Sequence, residues 1–171
     1  MNFSTIFPRT AFALLISIGA WSALGAGARA AEEAANGPFA GLAGSWTGAG
    51  TVTMANGSSE RIRCRASYSV PPMGKSLNQG LQCASDSYRF DVKSNVFVEA
   101  GGALRGTWSE TTNQVTGSVS GQISPGQINT SVTSPVFSAH LSVTTKGARQ
   151  SVSIQPQGTD VRTVTIEMHR S

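Results

Sequence analysis

The chain has 171 residues, with 13 Lys and Arg against 9 Asp and Glu and a formal net charge of +4 at pH 7. That excess is too small to be the footprint of a nucleic-acid binder, so no nucleic-acid partner is expected. Charged residues make up only 13% of the chain, and there are just two cysteines and two histidines, which leaves little material for metal or acid–base clusters.

The N-terminus reads as a targeting segment. Arg9 supplies a positive start, and Ala11 to Leu24 is an apolar run too short to span a bilayer comfortably. Ala28-Arg29-Ala30 is a small-x-small cleavage site. The expected organisation is a signal peptide over 1–30, a flexible segment over 31–40 and a single domain over 41–171. The mature protein is then periplasmic or secreted and does not span the membrane. At about 140 residues it is one ordinary domain able to bury a core.

From there the sequence reads as short strands and tight turns. Leu42 to Trp46 leads into a strand over Thr47 to Met54, and Asn56-Gly57 is a hairpin turn signal. The segment Arg61 to Val70 alternates, with Ile62, Cys64, Ala66, Tyr68 and Val70 on one face and Arg61, Arg63, Arg65 and Ser67 on the other. Pro71-Pro72-Met73-Gly74 turns the chain into a strand over Ser76 to Ser85. A hairpin symmetric about Met73 and Gly74 places Cys64 opposite Cys83, Val70 opposite Leu77 and Arg61 opposite Asp86. The expected Cys64–Cys83 disulfide suits an oxidising compartment and closes a loop worth roughly 3 kcal/mol. The arginines are expected on the outer, solvated face, where Arg61, Arg63 and Arg65 form a candidate surface patch for an anion or a partner.

Ser87 to Lys93 puts Tyr88, Phe90 and Val92 on one side, Ser94-Asn95 reads as a tight turn, and Val96 to Val98 returns. Gly101-Gly102 turns again into Ala103 to Glu110, with Leu104, Gly106 and Trp108 sharing a face. After Asn113-Gln114, Val115 to Ile123 interleaves Gly117 and Gly121 with apolar residues, a pattern that permits strong bending or leaves room inside. Following Ser124 to Gln127, three strands close the chain: Val136 to Thr144, Gln150 to Gln155 and Asp160 to His169. The spacing and meander order predict an all-β fold, an antiparallel up-and-down barrel of about 8–10 strands with one disulfide.

Leu42-Ala43-Gly44-Ser45-Trp46 and Leu104-Arg105-Gly106-Thr107-Trp108 share the pattern L-x-G-[ST]-W. This resembles the G-x-W start of the first strand in lipocalins and the G-T-W of avidins, both calycin-like barrels. The resemblance covers these pentads, the strand count and the size; it implies a lumen that holds a small ligand. Trp46, Tyr68, Phe90, Trp108 and Phe137 are the lumen-lining candidates, with plain core packing as the alternative role for each. A second resemblance is to small periplasmic metalloprotease inhibitors, in which Ala31 to Phe39 would be the tail entering the protease.

Catalytic signatures are not found. No serine sits in G-x-S-x-G, and there is no phosphate loop or dinucleotide fingerprint. His140 and His169 fall on polar faces, and the carboxylates lie at turns or on wet faces, so neither a metal nor a cofactor is expected. The reading is an exported binding barrel, not an enzyme, holding a small apolar or amphipathic ligand. The alternative is a protease-inhibitor-like or cell-surface protein-interaction module.

Overall fold

The computed structural model describes residues 37–171. The expected signal peptide and most of the segment over 31–40 lie outside the described residues. Ten antiparallel strands follow in meander order: β1 (Gly44–Met54), β2 (Ser59–Ser69), β3 (Ser76–Ala84), β4 (Arg89–Val98), β5 (Ala103–Glu110), β6 (Val115–Ser124), β7 (Gln127–Thr133), β8 (Ser138–Lys146), β9 (Arg149–Gln157) and β10 (Val161–Arg170). Strand β1 pairs with both β2 and β10, which closes the sheet into a barrel and leaves no edge strand.

The hairpin register holds where the sequence was most explicit. Cys64 is directly opposite Cys83, their Cα atoms are 4.2 Å apart, and they form the disulfide. The strand ends at Ala84, however, and Asp86 lies in the following turn. The expected Arg61–Asp86 pair therefore does not form; among the described residues the only salt bridge is Arg105–Glu99, at 3.3 Å.

Two further expectations are corrected. Ser94 and Asn95 do not turn; they sit inside the continuous strand β4. Their polar side chains are satisfied sideways, Ser94 Oγ donating to Gln79 Oε1 at 3.3 Å and Asn95 Nδ2 donating to Asn78 Oδ1. Strand β7 was not anticipated, because its inward positions are Ile128, Thr130 and Val132, and a threonine in the middle blurs the alternation. Tyr88, expected on the inner face, is 42% exposed at the turn before β4.

Closure depends on glycines in β1. A Cβ built on Gly48 would collide with the Glu167 carbonyl, and one on Gly50 with the Thr165 carbonyl. The two strands approach so closely only because β1 lacks side chains at these inward positions.

Candidate functional site

Inward and outward positions follow from the register, and burial is uneven round the lumen: Val96, Leu104, Val119, Ile123 and Ala139 are buried on β4, β5, β6 and β8, while some of their inward neighbours are less so. On β1, β2 and β10 the inward residues Trp46, Val52, Ile62, Tyr68, Val164 and Ile166 are all buried. On the opposite wall the inward apolar residues Val92, Ile128, Val132, Leu141, Val152 and Ile154 are only half-buried, although they face the barrel interior. These residues are less completely buried than those of the facing wall, and Leu141 also borders a hollow with Ser131, His140 and Ser142.

One end is shut. Residues 37–43 fold as turns over it, and Phe39, 0% exposed, belongs to the core. The expected flexible segment over 31–40 is thus seen only at 37–40, where the chain packs firmly. Trp46, also fully buried, donates from Nε1 to the Leu42 carbonyl at 2.8 Å. Arg170 lies over the Trp46 ring, 4.6 Å from its centroid, and donates to the carbonyls of Gly41 and Ala43. This combination of cation–π contact and hydrogen bonds seals the floor.

At the floor a polar bridge joins β2 to β9. Tyr68 Oη donates to Gln150 Oε1 at 2.8 Å, and Gln150 Nε2 donates to Thr145 Oγ1 at 3.2 Å. Gln150 is 1% exposed, so these partners satisfy a group that water does not reach. Burial pushes the Tyr68 phenol up to about 12, with the bond to Gln150 acting in the opposite direction.

The other end is ringed by the turns at 55–58, 85–88, 111–114, 134–137 and 158–160. Phe90, Val115, Phe137 and Val161 are half-buried there. Trp108 and Phe137 pack at 5.5 Å between ring centroids. The indole passes over Gly117, where Nε1 lies 2.6 Å from the place a Cβ would occupy. Trp108 Nε1 is buried and has no hydrogen-bond partner. Glu110 organises the adjoining turn: its carboxylate accepts from the backbone N–H groups of Asp91, Thr112 and Asn113 at 3.1, 2.9 and 2.6 Å. Burial alone would raise its pKa, but these donors hold it down to about 2.

Of the five lumen candidates, Trp46 and Tyr68 are part of the packed floor, 6.4 Å apart in an edge-to-face arrangement. Phe90, Trp108 and Phe137 stand nearer the open end. Phe39, Gln150 and Arg170 were missed. Gln150 sat on the inward phase of its strand, a signal that period-2 counting carried, whereas nothing local marked Phe39 or Arg170. Arg61, Arg63 and Arg65 are exposed on the outer wall of β2, as are His140 and His169 on β8 and β10. A surface hollow of about 860 Å³ is bordered by Ser67, Asn78, Lys93, Thr107 and Ser109 together with Gln79, Ser94 and Trp108. No group of three or more His, Cys, Asp or Glu able to hold a metal occurs among the described residues.

No protein-family model matches the sequence, and no curated protein matches it. Solved structures do. The chain is similar to Rv2717c from M. tuberculosis, with a TM-score of 0.60 at 13% identity over 78% of this chain and 94% of that one. It is also similar to the S-type phycobiliprotein lyase CPES from Guillardia theta, with a TM-score of 0.52 at 10% identity over 83% of this chain and 97% of that one. The protein is a ten-stranded antiparallel meander barrel, closed at one end and carrying a single disulfide, with a fold similar to those two structures.

Proposed function

We propose that this protein is an exported carrier or sensor that binds a small apolar or amphipathic molecule in the barrel lumen and does no chemistry on it. The observation that carries this reading is that Val132, Leu141, Val152 and Ile154, though inward, are only partly buried, whereas Val52, Ile62, Val164 and Ile166 on the facing wall are fully packed. A barrel that used its interior only as core would bury both walls alike. The likeness to barrels of the same architecture supports the shape of the site, and the apolar N-terminal run supports export.

Native mass spectrometry of protein purified without denaturation is the test. An added mass that leaves on denaturation is expected, together with loss of that mass in Leu141→Trp, which fills the partly buried wall. A bare mass in both proteins, with no response of Trp108 fluorescence to lipophilic probes, would overturn the reading.

A second reading, a protein-interaction module, draws on Arg61, Arg63 and Arg65, which are exposed along β2 with no carboxylate within salt-bridge distance among the described residues. It predicts that charge reversal at Arg63 and Arg65 abolishes capture of a partner while ligand mass is retained.

A further inference from the structure

We propose that the closed end of the barrel docks on an anionic lipid surface, with Met73 and Phe97 as its apolar contacts and Lys75, Lys146 and Arg149 as its charged ones. This rests on observations separate from the lumen. The first is an uneven distribution of charge. The strand ends and turns at the closed end carry Lys75, Arg105, Lys146, Arg149 and Arg170 against one carboxylate, Glu99. The open end carries Glu60, Asp86, Asp91, Glu110 and Asp160 against three arginines. Glu99 is taken by Arg105, and Arg170 is held over Trp46 by backbone carbonyls. That leaves Lys75, Lys146 and Arg149 exposed with no carboxylate partner among the described residues.

The second observation is apolar. Met73 is 57% exposed and Phe97 52% exposed, and both lie at this same end. Met73 sits at the tip of the β2–β3 turn with φ of 81°, a left-handed conformation that a methionine rarely adopts. The turn therefore presents a large apolar side chain where glycine or asparagine would be less strained. The described chain also enters the barrel here, with Gly37 packed against Gly74.

The arrangement favours a lipid surface over a protein partner. The cations stand on separate turns, β2–β3 and β8–β9, on different sides of the ring. The apolar side chains are single points, not a contiguous patch of the kind a protein interface buries at its centre. A fluid, negatively charged surface needs no such matched patch; it accepts isolated apolar insertions and responds to the summed positive charge. Tyr88 and Val136 are exposed at the open end as well, but the carboxylates there repel an anionic surface, so the docked barrel keeps its open end towards water.

The test is flotation of the exported protein with phosphatidylcholine vesicles, with and without phosphatidylglycerol. Binding is expected only when phosphatidylglycerol is present, weakening as salt rises. The variant K75Q/K146Q/R149Q is expected to lower the partition coefficient roughly a hundredfold. M73S/F97S should weaken it further, and Y88S/V136S should leave it unchanged. Equal binding to both vesicle types, indifference to salt in the unmutated protein, or loss of binding in Y88S/V136S alone would overturn the proposal. So would absence of vesicle binding alongside capture by an acidic polypeptide. The salt series needs no variant, so it decides the matter even where a substitution impairs folding.

Discussion

Replacing Tyr68 with Phe removes one oxygen and leaves Gln150 Oε1, in a side chain 1% exposed, without its donor at 2.8 Å. An unsatisfied buried acceptor costs about 1–3 kcal/mol, so Tyr68→Phe should lose that much stability at pH 7. Removing both partners in Tyr68→Phe/Gln150→Leu should restore part of it, because no polar group is then stranded. A pH series supplies an independent check. The folded phenol is pushed from 10.0 up to about 12. Below pH 10 both the folded and unfolded chains keep the proton, and the contribution is fully present. Between pH 10 and about 12 the unfolded chain gives up its proton while the folded chain retains it. Stability therefore falls as pH rises, by about 2–3 kcal/mol once the window is crossed. The assay is urea unfolding at pH 7, 9 and 11 on the wild type, Tyr68→Phe and the double variant. Lysine deprotonation is common to all three, so the difference between them isolates Tyr68. Parallel losses of stability from pH 9 to 11 in the wild type and Tyr68→Phe would refute the buried bridge. So would a double variant less stable than the single one by the full cost of both groups.

Two further substitutions probe the frame. Glu110→Gln should destabilise the barrel by about 1 kcal/mol after solvent screening, since the turn's backbone donors lose their anionic acceptor. With the Glu110 carboxyl lowered from 4.5 to about 2, its contribution is present above pH 4.5 and is lost as the pH falls towards 2; unfolding midpoints of wild type and variant should converge across that window. Gly50→Ala should force β1 away from the Thr165 carbonyl and open the β1–β10 seam, seen as faster hydrogen exchange at Ile166 and Val164; unchanged protection there would show that the seam tolerates a methyl group.

Much of this architecture is written locally in the sequence. Alternation with period two assigns each residue of a strand to the inner or outer face, and the Pro71 to Gly74 turn then sets a register that brings Cys64 against Cys83. Those two features are enough for the disulfide, for the outward arginines and for a meander barrel. Where polar residues sit within a strand the local signal misleads. Ser94 and Asn95 look like a turn because their partners, Gln79 and Asn78, come from a neighbouring strand. Thr130 hides β7 for the same reason, an inward polar residue whose environment is supplied by other strands.

The candidate site was less legible. Lumen candidates could be chosen as aromatic residues of the right phase, but which of them fill the floor and which stand near the opening depends on contacts between distant segments. Tyr68 meets Gln150 across 82 positions, and Arg170 reaches Gly41 across 129. The strand phases, the disulfide and the outer face follow from local sequence, because each is set by neighbours along the chain or across one tight turn. The closure of β1 on β10, the plug of Phe39 and Trp46, the uneven packing of the lumen and the opposite charge of the two ends emerge only in the folded ring, because they arise when strands far apart in sequence are bent into one barrel.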